Sequence, residues 1–300
     1  MGEGEGLDDS WTASPGAVSG RDVLADAVSV ARKALGGRLL AAYALGSLAH
    51  GGVSPLVSDV DVALMLADPI RPLDKLLVRG AAVRVRSGRS PLHSRVSIFW
   101  GTPDSLAGRT VGGRFPPLDR LCLIEHGLLL SGTDIRNGLP RPDQTALLIS
   151  GAQFALDVIA ADVLAQAHRP ELLVATGLRW TTKIVLFPVR FLFTAETGLE
   201  GTNDAAADHY LAQAGAAGAA LVAAARRWRS DPPARDDALT MLRAGLLPLY
   251  LHYLDDYGRR LQACGAAPLA QAFRDWRSRL LVNAHRGLDG SSMPPCAYED

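Results

Sequence analysis

Apolar and polar positions alternate along DVDVALML (59–66), which predicts a strand with Asp59 and Asp61 on one face and Val60, Val62 and Leu64 on the other. LLAAYAL (39–45), RVSIFWG (95–101) and GLLLSG (127–132) read as three more strands. RDVLADAVSVARKALGG spaces Val23, Leu24, Ala27, Val30, Ala31 and Ala34 along one helical stripe, and Gly36-Gly37 ends it. PLDRLCLIEH (117–126) reads as a helix before the last strand. Past the Pro-rich PRPDQT (140–145) the period changes to that of helices. TALLISGAQFALDVIAADVLAQA places Leu147, Leu148, Gly151, Phe154, Ala155, Val158, Ile159 and Val163 on one face, and four later segments continue the pattern.

The predicted class is therefore α+β. An α/β domain spans 21–140, and an all-α bundle of about five helices spans 141–288. Residues 1–20 and 289–300 are rich in Gly, Ser, Pro and acids and are expected to be disordered tails.

Composition narrows the function classes. Apolar residues make up 48% and charged residues 21%, the profile of a globular protein. Lys+Arg and Asp+Glu both number 31, so no global basic field exists to hold nucleic acid, and none is expected as a partner. Cys122, Cys264 and Cys296 lack metal or redox spacing. The Gly-rich acidic start is not a signal peptide, and no apolar run is read as spanning a bilayer. The expectation is a cytoplasmic protein with no membrane partner.

The chemistry concentrates at the second strand. Residues two apart on a strand share a face, so Asp59 and Asp61 can aim at one point, where a divalent cation would offset their repulsion. Such hard oxygen donors suit Mg²⁺. Upstream, Gly46 and Ser47 end the first strand, and a turn of this kind presents backbone N–H groups and a hydroxyl to phosphate. Ser58 is a further candidate ligand to phosphate or ribose.

A strand ending in Gly46-Ser47, a gap of about a dozen residues and a strand bearing Asp59-x-Asp61 resemble the nucleotidyltransferase superfamily related to DNA polymerase beta. HGLLLSGTDI resembles the last strand of that family. VRFLFTAETGLEGTNDAAADHY resembles the helical domain of aminoglycoside adenylyltransferases, with Arg190, Thr197 and Gly198 at matching positions. The resemblance spans roughly residues 25–255. It implies a nucleotidyltransferase domain with a mixed sheet and flanking helices, followed by the bundle. It also implies Mg²⁺ and a nucleoside triphosphate, ATP being expected, with Asp59 and Asp61 as metal ligands and catalytic residues. Gly46, Ser47, Ser58, Arg190, Asn203 and Tyr253 would bind the nucleotide or acceptor.

Two positions depart from that pattern. Active members carry a third carboxylate, the base, on a later strand, whereas here the matching strand offers Arg95 or Ser97. A triphosphate-binding Lys after the Thr-Gly is replaced by Asn203. His93, Glu125, Asp104 and Asp134 read as helix, surface or turn residues rather than as substitutes. The expected activity is transfer of a nucleoside monophosphate to a hydroxyl of a small molecule such as an aminoglycoside. Asp204, Asp208, Asp236, Asp237, Asp255 and Asp256 are candidates to receive its positive charge. A partner protein is the other acceptor considered. The alternative is a nucleotide-binding regulatory or antitoxin-type protein with reduced or lost catalysis.

Overall fold

The computed structural model describes residues 19–51, 54 and 56–288. Most of the expected tails therefore lies outside the described residues. Ser19 and Gly20 do not belong to a tail: Ser19 accepts from the Asp22 N–H and closes a capping box, and Gly20 begins the first helix.

The two central strands of the sheet are seven residues long each. Helix α1 (Gly20–Leu35) leads into β1 (Leu39–Leu45), the short helix α2 (Ser47–His50) and β2 (Val60–Leu66). Helix α3 (Asp74–Arg86), α4 (Pro91–Ser94), β3 (Val96–Gly101) and α5 (Pro103–Leu106) follow, then α6 (Pro117–His126) and β4 (Leu128–Gly132). The strand order is β3-β2-β1-β4. β1 is antiparallel to both β2 and β4, while β2 and β3 are parallel, so the sheet is mixed.

One element was not anticipated. DKLLVRGAAVRVR forms α3, although Gly80 and three β-branched valines weaken its intrinsic helix preference. Tertiary burial of Val78, Ala81, Ala82 and Val85 decides the outcome. Arg38 anchors its first turn, with Nη2 2.6 Å from the buried Asp74 carboxylate, which also accepts the Arg71 N–H.

The second half is helical throughout its regular elements, in more pieces than the periodicity suggested. α7 (Gln144–Phe154) passes through a π-helical segment, Ala155–Ile159, into α8 (Ala160–Gln166). Next come α9 (Pro170–Ala175), α10 (Leu178–Thr197), α11 (Asn203–Leu211), α12 (Ala219–Arg227), α13 (Arg235–Ala263) and α14 (Ala267–Leu288). Gln144–Gln166 does have the length and composition to cross a membrane, and half of its apolar window is buried inside the fold. Buried apolar residues form one cluster on each face of the sheet and a third within the bundle, which Val57 joins from the β2 side.

Candidate active site

The C-terminal end of β1 and the start of β2 face α10 across a cleft of about 390 Å³. Gly46, Ser47, Ser58, Asp59, Asp61, Arg190 and Asn203 all line it, so seven of the eight residues singled out from the sequence share one cavity. Tyr253 is the exception. It is 1% exposed within an aromatic core, its ring 5.1 Å from that of Tyr257 and 5.7 Å from that of Phe273. Its expected contact with nucleotide or acceptor is therefore withdrawn: a ring packed on all sides by the bundle has no route to the cleft.

Gly46 is required twice over. Its φ of 58° is disfavoured for other residues, and a Cβ there would stand 2.8 Å from Oδ2 of Asp61. The close approach lets the turn close over the carboxylate. Asp61 pairs in register with Leu45 on one side and with Ser97 on the other, and the Ser97 hydroxyl donates to it. Burial, followed by the neighbouring Asp59 charge, pushes the Asp61 carboxyl up to about 6, against the opposing pull of Lys183 and Arg190. Ser47 donates to the Ser58 hydroxyl at 2.9 Å, and Ser58 in turn accepts the Ser54 N–H at 2.9 Å. The two hydroxyls thus lie side by side on the turn, beside the carboxylates.

Asp59 has partners the sequence reading did not foresee. Arg179 donates to its Oδ1 from Nη2 and Nε at 2.5 and 2.7 Å, and Lys183 pairs with its Oδ2. Both cations come from α10, as does Arg190, whose Nε donates to the Gly201 carbonyl. Positions 179, 183 and 190 fall on one face of a helix, and that spacing of charges in an apolar helix was the available signal. Burial draws the Lys183 ammonium below its ordinary value, while the Asp59 charge opposes the shift.

A further carboxylate reaches the cleft from an element other than β3. Ser97 and Phe99 of β3 line the cleft without an acid, and Arg95 donates to the Leu56 carbonyl at 3.3 Å. Asp119, in the first turn of α6, lines the same cleft. Burial and then the Asp61 charge push it up to about 7, with Arg114 and Arg190 pulling the other way. In the sequence Asp119 looks like an ordinary first-turn acid facing the helix dipole, so it carried no mark of the site. Phe154, Trp180, Phe187 and Phe191 form an aromatic wall to the cavity, with the rings of Phe187 and Phe191 stacked at 5.9 Å. The other substitutes considered lie elsewhere or do other work. His93 contacts Asp26 at 3.2 Å, Asp104 binds Arg109, and Asp134 binds Arg136 and Tyr43.

The donors fit Mg²⁺ in kind. Asp61 of β2 and Asp59, one residue before that strand, line one cleft, and the Asp59 charge disfavours ionisation of Asp61, which a divalent cation relieves. Asp59 would exchange its present cationic partners to join it.

No family model matches the chain, and no curated protein sequence matches it. Eight chains of solved structures do match. One is the spectinomycin adenyltransferase AAD(9) from Enterococcus faecialis with ATP and spectinomycin, similar at 13% identity and a TM-score of 0.51. The likeness covers 76% of this chain and 98% of that one. The chain thus has a nucleotidyltransferase-like α+β fold with a helical C-terminal part.

Proposed function

We propose that the protein transfers a nucleoside monophosphate, AMP from ATP, to a hydroxyl of a small molecule. The observation that carries this reading is the convergence of Asp59, Asp61 and Asp119 with the Gly46-Ser47 turn on one cleft. Asp119 would take the acceptor's proton as its oxygen attacks the α-phosphorus, and the bond to the departing pyrophosphate breaks. Its carboxyl, poised near neutrality, suits a general base. Lys183, Arg179 and Arg190 would hold the phosphates, with Ser47, Ser58 and Asn203 completing the contacts. Asp59 and Asp61 would hold Mg²⁺, which when bound neutralises charge on the triphosphate. The sheet domain and the helical bundle would each supply one wall of the site.

A similar fold crystallised with ATP and spectinomycin supports ATP as the donor and an aminoglycoside-like acceptor. None of the six aspartates expected to receive a polycation lines the cleft, whose own acids are Asp59, Asp61, Asp119 and Glu200. Asp204 and Asp208 pair with Arg226, Asp255 with Arg277, and Asp256 with Arg259 and Arg260. Asp236 and Asp237 stand in the first turn of α13.

The second reading is a nucleotide-binding protein that does not turn over, acting as a regulator or on a partner protein. Its support is the capture of Asp59 by Arg179 and Lys183. Thermal stability with Mg²⁺ and each nucleoside triphosphate tests both. Ligand at 100 times its dissociation constant adds ~2.7 kcal/mol to the native state. A Mg²⁺-dependent shift that Asp59→Asn/Asp61→Asn abolishes supports the site, and pyrophosphate release with an acceptor library separates enzyme from binder. No shift with any nucleotide sinks both.

A further inference from the structure

At the far end of α6 from Asp119, three potential metal ligands meet. His126 Nε2 lies 3.8 Å from Oε2 of Glu125 and 3.5 Å from Oε2 of Glu200, and all three donor atoms lie within 4.8 Å of one another. Glu125 and His126 end α6 of the sheet domain, and Glu200 follows α10 of the bundle.

Glu200 is the anomaly. Its side chain is only 8% exposed, and Oε2 is buried with no hydrogen-bond partner among the described residues. A buried carboxylate oxygen left without a donor is costly, and a cation is the usual remedy. The neighbours are arranged as a metal's supporting groups would be. Glu125 Oε2 accepts the Glu200 N–H at 2.9 Å, and its Oε1 is gripped by Arg141, which also binds the Gly198 carbonyl at 2.9 Å. Those bonds fix the carboxylate in orientation while leaving lone pairs for an ion. The His50 ring sits 5.7 Å from that of His126, edge to face, as a second imidazole beside the cluster.

We propose that Glu125, His126 and Glu200 bind a zinc ion that ties α6 of the sheet domain to the loop after α10. Mixed imidazole and carboxylate donors suit Zn²⁺. Ligand atoms around tetrahedral zinc at ~2.0–2.1 Å stand ~3.3 Å apart, so the two His126 separations need to contract by a few tenths of an ångström, and the two carboxylates, within 4.8 Å, need to close around the ion. The ion would satisfy Oε2 of Glu200, the oxygen without a hydrogen bond, while the Cys122 thiol also bonds that carboxylate, and would hold the two walls of the cleft at a set separation. Glu200 lines the same cleft and its charge reaches Asp119, but the zinc site shares no ligand with the Asp59–Asp61 pair.

The test is zinc binding to the full-length protein, stripped with chelator and titrated with Zn²⁺ by calorimetry, with metal content measured after dialysis. One equivalent is expected in the wild type and in Asp59→Asn/Asp61→Asn. His126→Ala and Glu200→Gln should each weaken binding at least 100-fold while melting cooperatively in the absence of metal. His126→Gln serves where the alanine variant fails to fold. Co²⁺ in place of zinc should give the strong visible absorption of a four-coordinate site, lost in the same variants. Failure of the wild type to retain zinc overturns the proposal. So does retention that survives both the His126 and the Glu200 substitutions, or zinc lost from the Asp59→Asn/Asp61→Asn protein alone, which would place the ion at the catalytic pair.

Discussion

Arg179 Nη2 lies 2.5 Å from Oδ1 of Asp59, reaching from a helix of the bundle to the residue just before the central strand β2. Lys183 takes the other oxygen, so two cations attend one anion on the wall of the cleft. The surplus positive charge is what a triphosphate would complete. Arg179→Ala/Lys183→Ala is expected to weaken nucleoside triphosphate binding by roughly 10- to 100-fold, since a charged hydrogen bond is worth about 1.5–3 kcal/mol. Calorimetric titration of the double variant checks this. Wild-type affinity would mean that the two cations hold only Asp59.

Asp119 sets a different expectation. As the base, it should govern rate without governing nucleotide affinity. Asp119→Asn is expected to lower kcat by roughly 100- to 10,000-fold while leaving the triphosphate dissociation constant within a few-fold. Because its carboxyl is pushed up to about 7, the wild-type rate should climb as pH rises through that value, and the variant should lose that limb. A full-speed variant would return the role to solvent or to the acceptor itself.

Asp119 and the half-buried Asp61 also bear on stability. Burial and the Asp59 charge push Asp61 up to about 6, and burial and the Asp61 charge push Asp119 up to about 7, whereas in the unfolded chain both ionise near 4. Between those values the folded state binds more protons than the unfolded one, so stability falls as pH rises from about 4 to about 7 and then levels. The pair titrates jointly, so the two carboxyls share this slope. Asp61→Asn or Asp119→Asn should stabilise the protein by about 1–3 kcal/mol at pH 8 and by little at pH 4. Urea melts at the two pH values decide it. A gain of equal size at both would assign the effect to packing rather than charge.

What the sequence revealed of this site follows from range. Strand alternation placed Asp59 and Asp61 on one face, and the Gly46-Ser47 turn lies a short span away, so local rules sufficed to join them. Arg179 and Lys183 reach Asp59 across about 120 residues, and no local period encodes which helix face meets which strand end. Asp119 was hidden by a bland local role. α3 escaped because its valines and glycine speak against a helix, and only burial against the sheet reverses them. The six aspartates of the bundle show the converse error: charges near one another in sequence were grouped at a pocket, but arginines on the bundle surface claim at least four of them.

Tyr253 gives the last expectation, and it concerns a residue that chemistry alone made attractive. Its hydroxyl is buried with no hydrogen-bond partner among the described residues, and its ring packs against Tyr250, Tyr257, Phe273 and Phe191. A buried hydroxyl of this kind carries a desolvation cost of about 1–3 kcal/mol, while the ring's packing is independent of it. Tyr253→Phe keeps the ring and removes the cost, so stability should stay level or rise by up to about 1 kcal/mol. Nucleotide affinity and turnover should not change, because the residue does not reach the cleft. Tyr253→Ala, by contrast, should cost about 3–5 kcal/mol through the cavity it opens among the rings. Thermal melts with and without Mg²⁺ and ATP separate the outcomes: a phenylalanine variant that melts like wild type alone yet loses the ligand-induced shift would put the hydroxyl back in contact with the nucleotide.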